Sequence, residues 1–292
     1  MLVENIELVV TGRLVKTAKL RAEYYDSLED PPSFAVKLRD ARIRADLFTF
    51  VQRVREREPK YPFQREWDSI AVLPIATYDR WWKTQISDKT RNMIRKATKK
   101  GLEVRTAKFH DDLVQGILEI YNESPIRQGK RFAHYGKDFE TVKKDHATYL
   151  ARSQFIGAFL RDELVGFIKL VHGDGAANLM QIISKMAHRD KAPTNALIAK
   201  AVEICAESEV QYLHYGMWSR RGLGAFKVHH GFQRFEVPRY FVPLTRIGDL
   251  MLRCHLHHRW SELVPESWID AGTTIRGKWY AIKYGQETGR GR

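Results

Sequence analysis

The stretch over residues 154–244 constrains the fold of this chain most. It contains FIGAFLRDELVGFIKLV, NLMQIISK, HRDKAPTNALIAKAVEICAE, YLHYGM and GAFKVHHGF in that order. The first run holds two apolar, β-rich segments, 155–160 and 164–171, joined across Arg161-Asp162-Glu163 as a hairpin. A third strand is expected over 177–184. Over 193–207, Leu197, Ile198, Ala201, Val202 and Cys205 fall on one helical face, and Pro193 suits the first turn. A strand over 210–215, a helix over 223–230 stopped by Gly231, and a strand over 235–244 follow. Strands and helices alternating in this way define an α/β (α+β) class.

Upstream, residues 3–10 and 13–21 pattern as a hairpin with Thr11-Gly12 at the turn. Pro31-Pro32 open a helix, DLFTFVQRV and SIAVLPIA are strands, and the Pro-bearing REREPKYPFQREW between them is a loop. Residues 1–75 thus form a small N-terminal α/β segment, followed by a main domain over 76–244. Residues 245–292 make a helical extension with a basic, Gly-rich tail. TYDRWWKTQI is a short helix. Asp88 is the expected cap of a helix over 89–100 that ends at Gly101. LEVRTAKF is a strand. Residues 110–124 form an amphipathic helix, 124–138 a long polar loop, and 138–152 another helix. No internal repeat is evident in the sequence.

The chain has 292 residues, 43% hydrophobic and 11% aromatic, which is a folding composition. No apolar run approaches the roughly 20 residues that span a bilayer. MLVENIELVV lacks the basic start and long apolar stretch of a secretion signal. Two cysteines, Cys205 and Cys254, are too few for a disulfide framework, so a cytoplasmic location is expected. The net charge of +14 favours anionic partners. Over residues 83–108 there are nine Lys and Arg against two acids, a local excess of seven. Arg91, Arg95, Lys96, Lys99 and Lys100 share one predicted helix there and form a candidate surface for nucleic acid or another polyanion. Trp81 and Trp82 nearby could stack a base or belong to the core. In CHLHH, residues 254–258, Cys and His stand close together, but no second cluster completes four zinc ligands and no metal is expected. GxxxxGK[ST], HExxH and GxSxG are absent.

The segments IRKATKKGLEV, FIGAFLRDELVGFIKLV, the helix from Pro193 and GLGAFKVHHGF together resemble the GNAT acyltransferases. More closely they resemble the FemAB-like branch, over roughly residues 68–244. The resemblance implies a mixed central sheet flanked by helices, with residues 1–75 as a reduced first GNAT-like half. It implies acyl-CoA as donor to an amine, or aminoacyl-tRNA as donor in the FemAB manner. A GNAT-like module without catalysis, binding nucleic acid or protein, is the third possibility. In the acyl-CoA case a turn before the cofactor helix holds the pyrophosphate on backbone N–H groups. Here that turn, with Arg189, Lys191, Thr194 and Asn195, contains no glycine. Residues 180–186 would offer backbone donors to the oxyanion.

The resemblance places Tyr215 as general acid, with His172 and His188 as candidate bases in the same region. Lys227 occupies the position of a lysine common in FemAB-like proteins and is a candidate phosphate or acceptor-end contact. The 124–137 loop concentrates Arg127, Gln128, Lys130, Arg131, His134, Tyr135 and Lys137. Arg127, Gln128, Arg131, His134, Tyr135 and the strand residue Lys169 are the substrate-binding candidates. Each of these side chains has a plain alternative, as a solvated lysine or arginine, a strand-end aromatic or a structural histidine.

Overall fold

The computed structural model describes residues 1–256 apart from Asn5, Ser27, Arg57, Asp174 and Arg220. Runs rich in β-branched and aromatic residues become strands, in keeping with their fit to a pleated surface. The first part supplies β1 (Leu2–Val3), β2 (Ile6–Thr11), β3 (Thr17–Leu20), α1 (Pro31–Asp40), β4 (Leu47–Val51) and β5 (Gln64–Pro74). Then α2 (Tyr78–Arg80) widens into a π turn over Trp81–Gln85 and leads to α3 (Asp88–Lys99), β6 (Leu102–Ala107) and α4 (Asp111–Asn122). A small separate hairpin, β7 (Ile126–Arg127) and β8 (Lys130–Arg131), precedes α5 (Phe139–His146). The remainder is β9 (Ser153–Leu160), β10 (Glu163–His172), β11 (Ala176–Ser184), α6 (Pro193–Glu207), β12 (Tyr212–Met217), α7 (Arg221–His229), β13 (Gln233–Pro243) and α8 (Arg246–Arg253).

Among the described residues, eleven strands form one mixed sheet in the order β1-β2-β3-β4-β13-β5-β12-β11-β10-β9-β6. The late strand β13 lies between the early strands β4 and β5, antiparallel to both. β5 in turn pairs with β12. The strands of residues 1–75 and those of the later region are therefore laced into a single sheet. A topological repeat also emerges. The β2–β3 pair is antiparallel and β3–β4 parallel, with α1 as crossover. The β10–β11 pair is antiparallel and β11–β12 parallel, with α6 as crossover. The repeat resides in strand direction and connection, which is why the residues do not display it.

Helices cover both faces of the second half. Leu197, Ile198, Ala201 and Val202 of α6 pack with Ile156, Ile168 and Leu170 of the sheet and with Ile94 and Ala97 of α3. Leu113, Val114, Ile117 and Tyr121 of α4 and Val142 of α5 pack with Phe155 and Phe167 on the opposite face. Gly166 lets α6 approach β10, since a Cβ there would lie 3.0 Å from Ser184 Cβ and 3.1 Å from Leu197 Cδ1. The first half has its own core of Leu8, Phe34, Leu38, Phe48, Phe50 and Tyr240.

Several local expectations shift. Ser87, not Asp88, caps α3: its Oγ accepts from the Thr90 N–H at 3.2 Å, while Asp88 becomes the first helical residue and holds Arg91. The 124–138 loop folds into the β7–β8 hairpin because Gln128 and Gly129 both take positive φ, 53° and 71°, as a tight primed turn requires. The helix expected over 138–152 stops at His146, and Tyr149 at φ 58° turns the chain into β9. The helical segment expected after residue 245 is α8, and the remainder of that extension lies outside the described residues. No helix among the described residues is long and apolar enough to cross a membrane.

Candidate active site

The parallel strands β11 and β12 pair over only three positions, Ala176–Tyr212, Ala177–Leu213 and Asn178–His214. Beyond Asn178 they part. β11 continues to Ser184, while β12 bulges at Tyr215 and Gly216, the latter at φ 64°. The backbone of β11 past Asn178 consequently has no strand partner on this side, and its N–H and C=O groups can meet a ligand. The opening leads to the start of α6, where Ser184 Oγ and Thr194 Oγ1 are 3.0 Å apart. The glycine-free turn is nonetheless bent as a glycine would bend it, because Ala192 adopts φ 56°, ψ 43°. α6 carries no side-chain cap, and its positive end lies beside Ser184 at the end of β11.

Cations surround that end. Arg189 is exposed and Lys191 lies 3.3 Å from Asp190. The Lys191 hydrogen bond, helped by Lys100 and Lys96 of α3, holds the Asp190 carboxyl below its ordinary value. The C-terminal turn of α3 is thus a neighbour of the α6 terminus. The equivalent position in the first half is closed. There α1 has two prolines at its start, and the Asp30 carboxylate accepts from the Ser33 N–H at 3.1 Å, so an anion is disfavoured. A cavity of about 390 Å³ beside it is lined by Leu20, Phe50, Gln52, Arg53, Lys60 and Tyr61, away from the β11–β12 opening.

On the α6 side of the opening stand Tyr215 and Lys227. Burial pushes the Tyr215 phenol up to about 12, and its ring packs against Phe232. Lys227 is buried, with Nζ donating to Met217 O at 2.7 Å and Ser219 Oγ at 3.3 Å while lying 4.7 Å above the Tyr215 ring. Among the described residues no acid pairs with it, and burial brings it down to about 8. Asn195 is turned inward, 3.1 Å from His230 Nε2, and His230 Nδ1 donates to Phe226 O at 2.8 Å.

The opposite face holds His214, Asn178, Gln181, Tyr121 and His146, which sequence reasoning missed, beside the expected His134 and Lys169. His214 Nδ1 and Asn178 Oδ1 are 2.7 Å apart, spanning the last paired position of the two strands. Further along β11, Gln181 Nε2 lies 3.1 Å from Tyr121 Oη and 3.2 Å from His134 Nε2, and Tyr121 Oη lies 2.9 Å from His146 Nε2. The signal was present in NLMQ and YLHY, where single polar residues stand among apolar ones in a buried sheet. Lys169, 1% exposed, donates to His146 O at 2.9 Å and to Thr148 O at 2.5 Å, and burial brings it down to about 8.

Arg127 donates to Ser184 O and Ile120 O at 2.7 Å each and to Glu123, joining β11, α4 and the hairpin. His134 stacks on Tyr121 at 4.4 Å, whereas Gln128, Arg131 and Tyr135 are exposed. His172 pairs in register with Ala177 at the closed end of the opening, with Nε2 3.4 Å from Gln154. His188 lies 3.7 Å from Glu163, outside the crotch of the strands. On α3, Arg91 donates to Trp82 O and Ile86 O, while Arg95, Lys99 and Lys100 are exposed and Lys96 half-exposed. Trp81 is core, its Nε1 donating to His230 O at 2.9 Å, and Trp82 lies beneath Arg95. His257 and His258 lie outside the described residues, among which no group of three His, Cys, Asp or Glu is placed to hold a metal.

No protein-family model matches the chain, and no curated protein does. Solved structures do. The chain is similar to the C-terminal domain (DUF2156) of a protein assigned as a lysylphosphatidylglycerol synthetase from Agrobacterium fabrum, at 13% identity and TM-score 0.57, over 87% of this chain and 86% of that one. FemX is similar at 10% identity and TM-score 0.56, over 80% of this chain and 83% of that one. The L-PGS of Bacillus licheniformis is similar at 12% identity and TM-score 0.54, over 87% and 86%. The chain has the GNAT-like fold, in the large-sheet arrangement shared with FemX and these synthetase domains.

Proposed function

We propose that the chain is an N-acyltransferase. It takes an acyl group from an acyl-CoA thioester and passes it to an amine by direct attack, with both substrates bound at once. The observation that carries this reading is the opening between β11 and β12 beside the uncapped, cation-flanked start of α6. In this reading the diphosphate of the donor sits at the α6 terminus near Arg189, Lys191 and Thr194, and the acyl arm enters between the strands. The unpaired backbone of β11 is the source of donors for the developing oxyanion. Tyr215, whose phenol burial pushes up to about 12, carries its proton at neutral pH and can give it to the leaving thiolate. Lys227 holds the Met217 carbonyl and so fixes the bulge that presents Tyr215. Residues 1–75, with the β2–β3–α1–β4 order, serve as a reduced first half that supports the site without a donor pocket of its own. The unpaired thiols Cys205 and Cys254 fit a reducing cytoplasm.

Calorimetric titration of acetyl-CoA into nucleic-acid-free protein tests the donor. Micromolar binding is the expected result, and absence of heat at two temperatures would remove acyl-CoA from consideration.

A second reading, transfer from aminoacyl-tRNA, is favoured by one observation. Lys96, Lys99 and Lys100 continue the cationic surface along α3 past what a single diphosphate needs. Reversing Lys96 and Lys99 to Glu is expected to weaken binding of a tRNA by about tenfold and to lower the salt slope by about two. An unchanged slope would return this helix face to simple solvation.

A further inference from the structure

We propose that His214 is the base that receives the proton of the acceptor amine, with Asn178 as the residue that orients it. This inference rests on the acyl-transfer reading and assigns the acceptor to the sheet face away from α6. His214 is the last residue of β12 paired with β11, at the vertex from which the strands diverge. Strand alternation puts Leu213 and Tyr215 in the α6-side core and Tyr212 and His214 on the other face, where Tyr24 packs 5.1 Å from the imidazole. A donor arm between the strands would therefore have Tyr215 on one side and His214 on the other.

The state of the ring is defined by its partners. Asn178 Oδ1 accepts from Nδ1–H at 2.7 Å, which leaves a lone pair on Nε2. Nε2 is out of solvent contact and has no hydrogen-bond partner among the described residues, and His214 as a whole is only 3% exposed. An orphaned buried acceptor is destabilising and calls for a role or a ligand. Tyr24 does not satisfy it, because its hydroxyl is committed to Asp68 at 2.7 Å and Met217 Sδ at 3.1 Å. Burial and the charge of Lys227, opposed by the Gly216 backbone, bring the imidazole down to about 4, so the ring is neutral in the free protein. The other buried histidines differ in placement. His230 has both nitrogens bonded, and His146, which also leaves one ring nitrogen unpartnered among the described residues, is the last residue of α5 and packs on Phe155 and Phe167 away from the strand vertex.

The neutral amine nitrogen forms a bond to the thioester carbonyl carbon. Its proton moves to His214 Nε2, the C–S bond breaks with the electron pair on sulfur, and the thiolate takes the Tyr215 proton. His214 then releases its proton to solvent, from which Tyr215 is reprotonated.

Two readouts on the full chain test this. In the first, the ring nitrogens of His214 are followed by ¹⁵N NMR during addition of methylamine, with His214→Gln to assign the signals. The expected result is a bare Nε2 signal that moves towards the hydrogen-bonded position on saturation, while His230 stays still. An Nε2 signal indifferent to methylamine overturns the proposal whether or not any thioester binds. In the second, acetyl transfer from acetyl-CoA to hydroxylamine is measured as hydroxamate. His214→Gln is expected to be slower by about 10²-fold or more with acetyl-CoA affinity unchanged, and free imidazole is expected to restore part of the rate to His214→Gly. Equal rates in wild type and a folded His214→Gln overturn the proposal. Failure of wild type to bind acetyl-CoA would sink the donor reading alone, and the NMR measurement would still decide His214.

Discussion

Replacing Arg239 with methionine is expected to destabilise the fold by about 4 kcal/mol, the range for breaking a buried ion pair from one side. Arg239, on β13, donates to both oxygens of Asp68 on β5 at 2.7–3.1 Å, to Glu23 at 2.8 Å and to Thr49 Oγ1 on β4 at 3.3 Å. The side chains of Arg239, Glu23 and Asp68 are 15%, 9% and 15% exposed. Burial opposes the guanidinium charge, and the hydrogen bonds to Asp68 and Glu23 outweigh it, so its pKa moves upward. Methionine would leave two carboxylates beside each other out of water. Urea unfolding measures the loss, against a total stability of about 5–15 kcal/mol for a typical domain. Arg239→Lys keeps the charge but not the forked geometry and should lose roughly half as much. A change below about 1 kcal/mol for Arg239→Met would mean that water reaches the cluster and screens it.

Stability is expected to fall steeply as the pH drops from about 6.5 to about 4. His146, His214 and His230 are each brought down to about 4, with burial as the largest cause. The unfolded chain binds protons on these rings from about 6.5 downward, whereas the native chain resists until about 4. Through that window the unfolded state holds more protons, so each ring contributes a slope of up to about 1.4 kcal/mol per pH unit. The same sign recurs on the alkaline side. Lys169 and Lys227, brought down to about 8, disfavour the native state while charged, and this penalty is relieved as the pH rises from about 8 to about 10.5. Urea midpoints measured across pH should show both rises. His230→Gln should flatten the acidic one by about a third, since one of three comparable rings is removed. An acidic limb of unchanged slope in that variant would mean that the ring is not held neutral.

The elements were legible where packing and local preference agree. The α6 helix runs over the expected residues because its apolar face and its first-turn proline point the same way. The cap of α3 was misassigned by one residue, since Ser87 and Asp88 are both good caps and only backbone geometry separates them. The place of β13 between β4 and β5 could not be seen, because strand neighbours far apart in sequence leave no local trace. At the site, Tyr215 and Lys227 stand together beside the opening. His172 and His188 attracted notice by residue type and lie off the strand vertex, whereas His214 and Asn178 sit on it. A pair linking two strands needs the register, and register is a tertiary property.

The lacing of β13 and β12 around β5 also governs how the chain must emerge from a ribosome. β5 is eleven residues long, and both of its neighbours lie well over a hundred residues downstream. At ordinary translation rates it waits on the order of ten seconds with both edges open. Its apolar run, Ile70 to Leu73, is the kind of segment that joins other chains during such a delay. The same strand carries Arg65, Glu66 and Asp68 ahead of that run, charges that discourage wrong pairing until Arg239 arrives to receive Asp68.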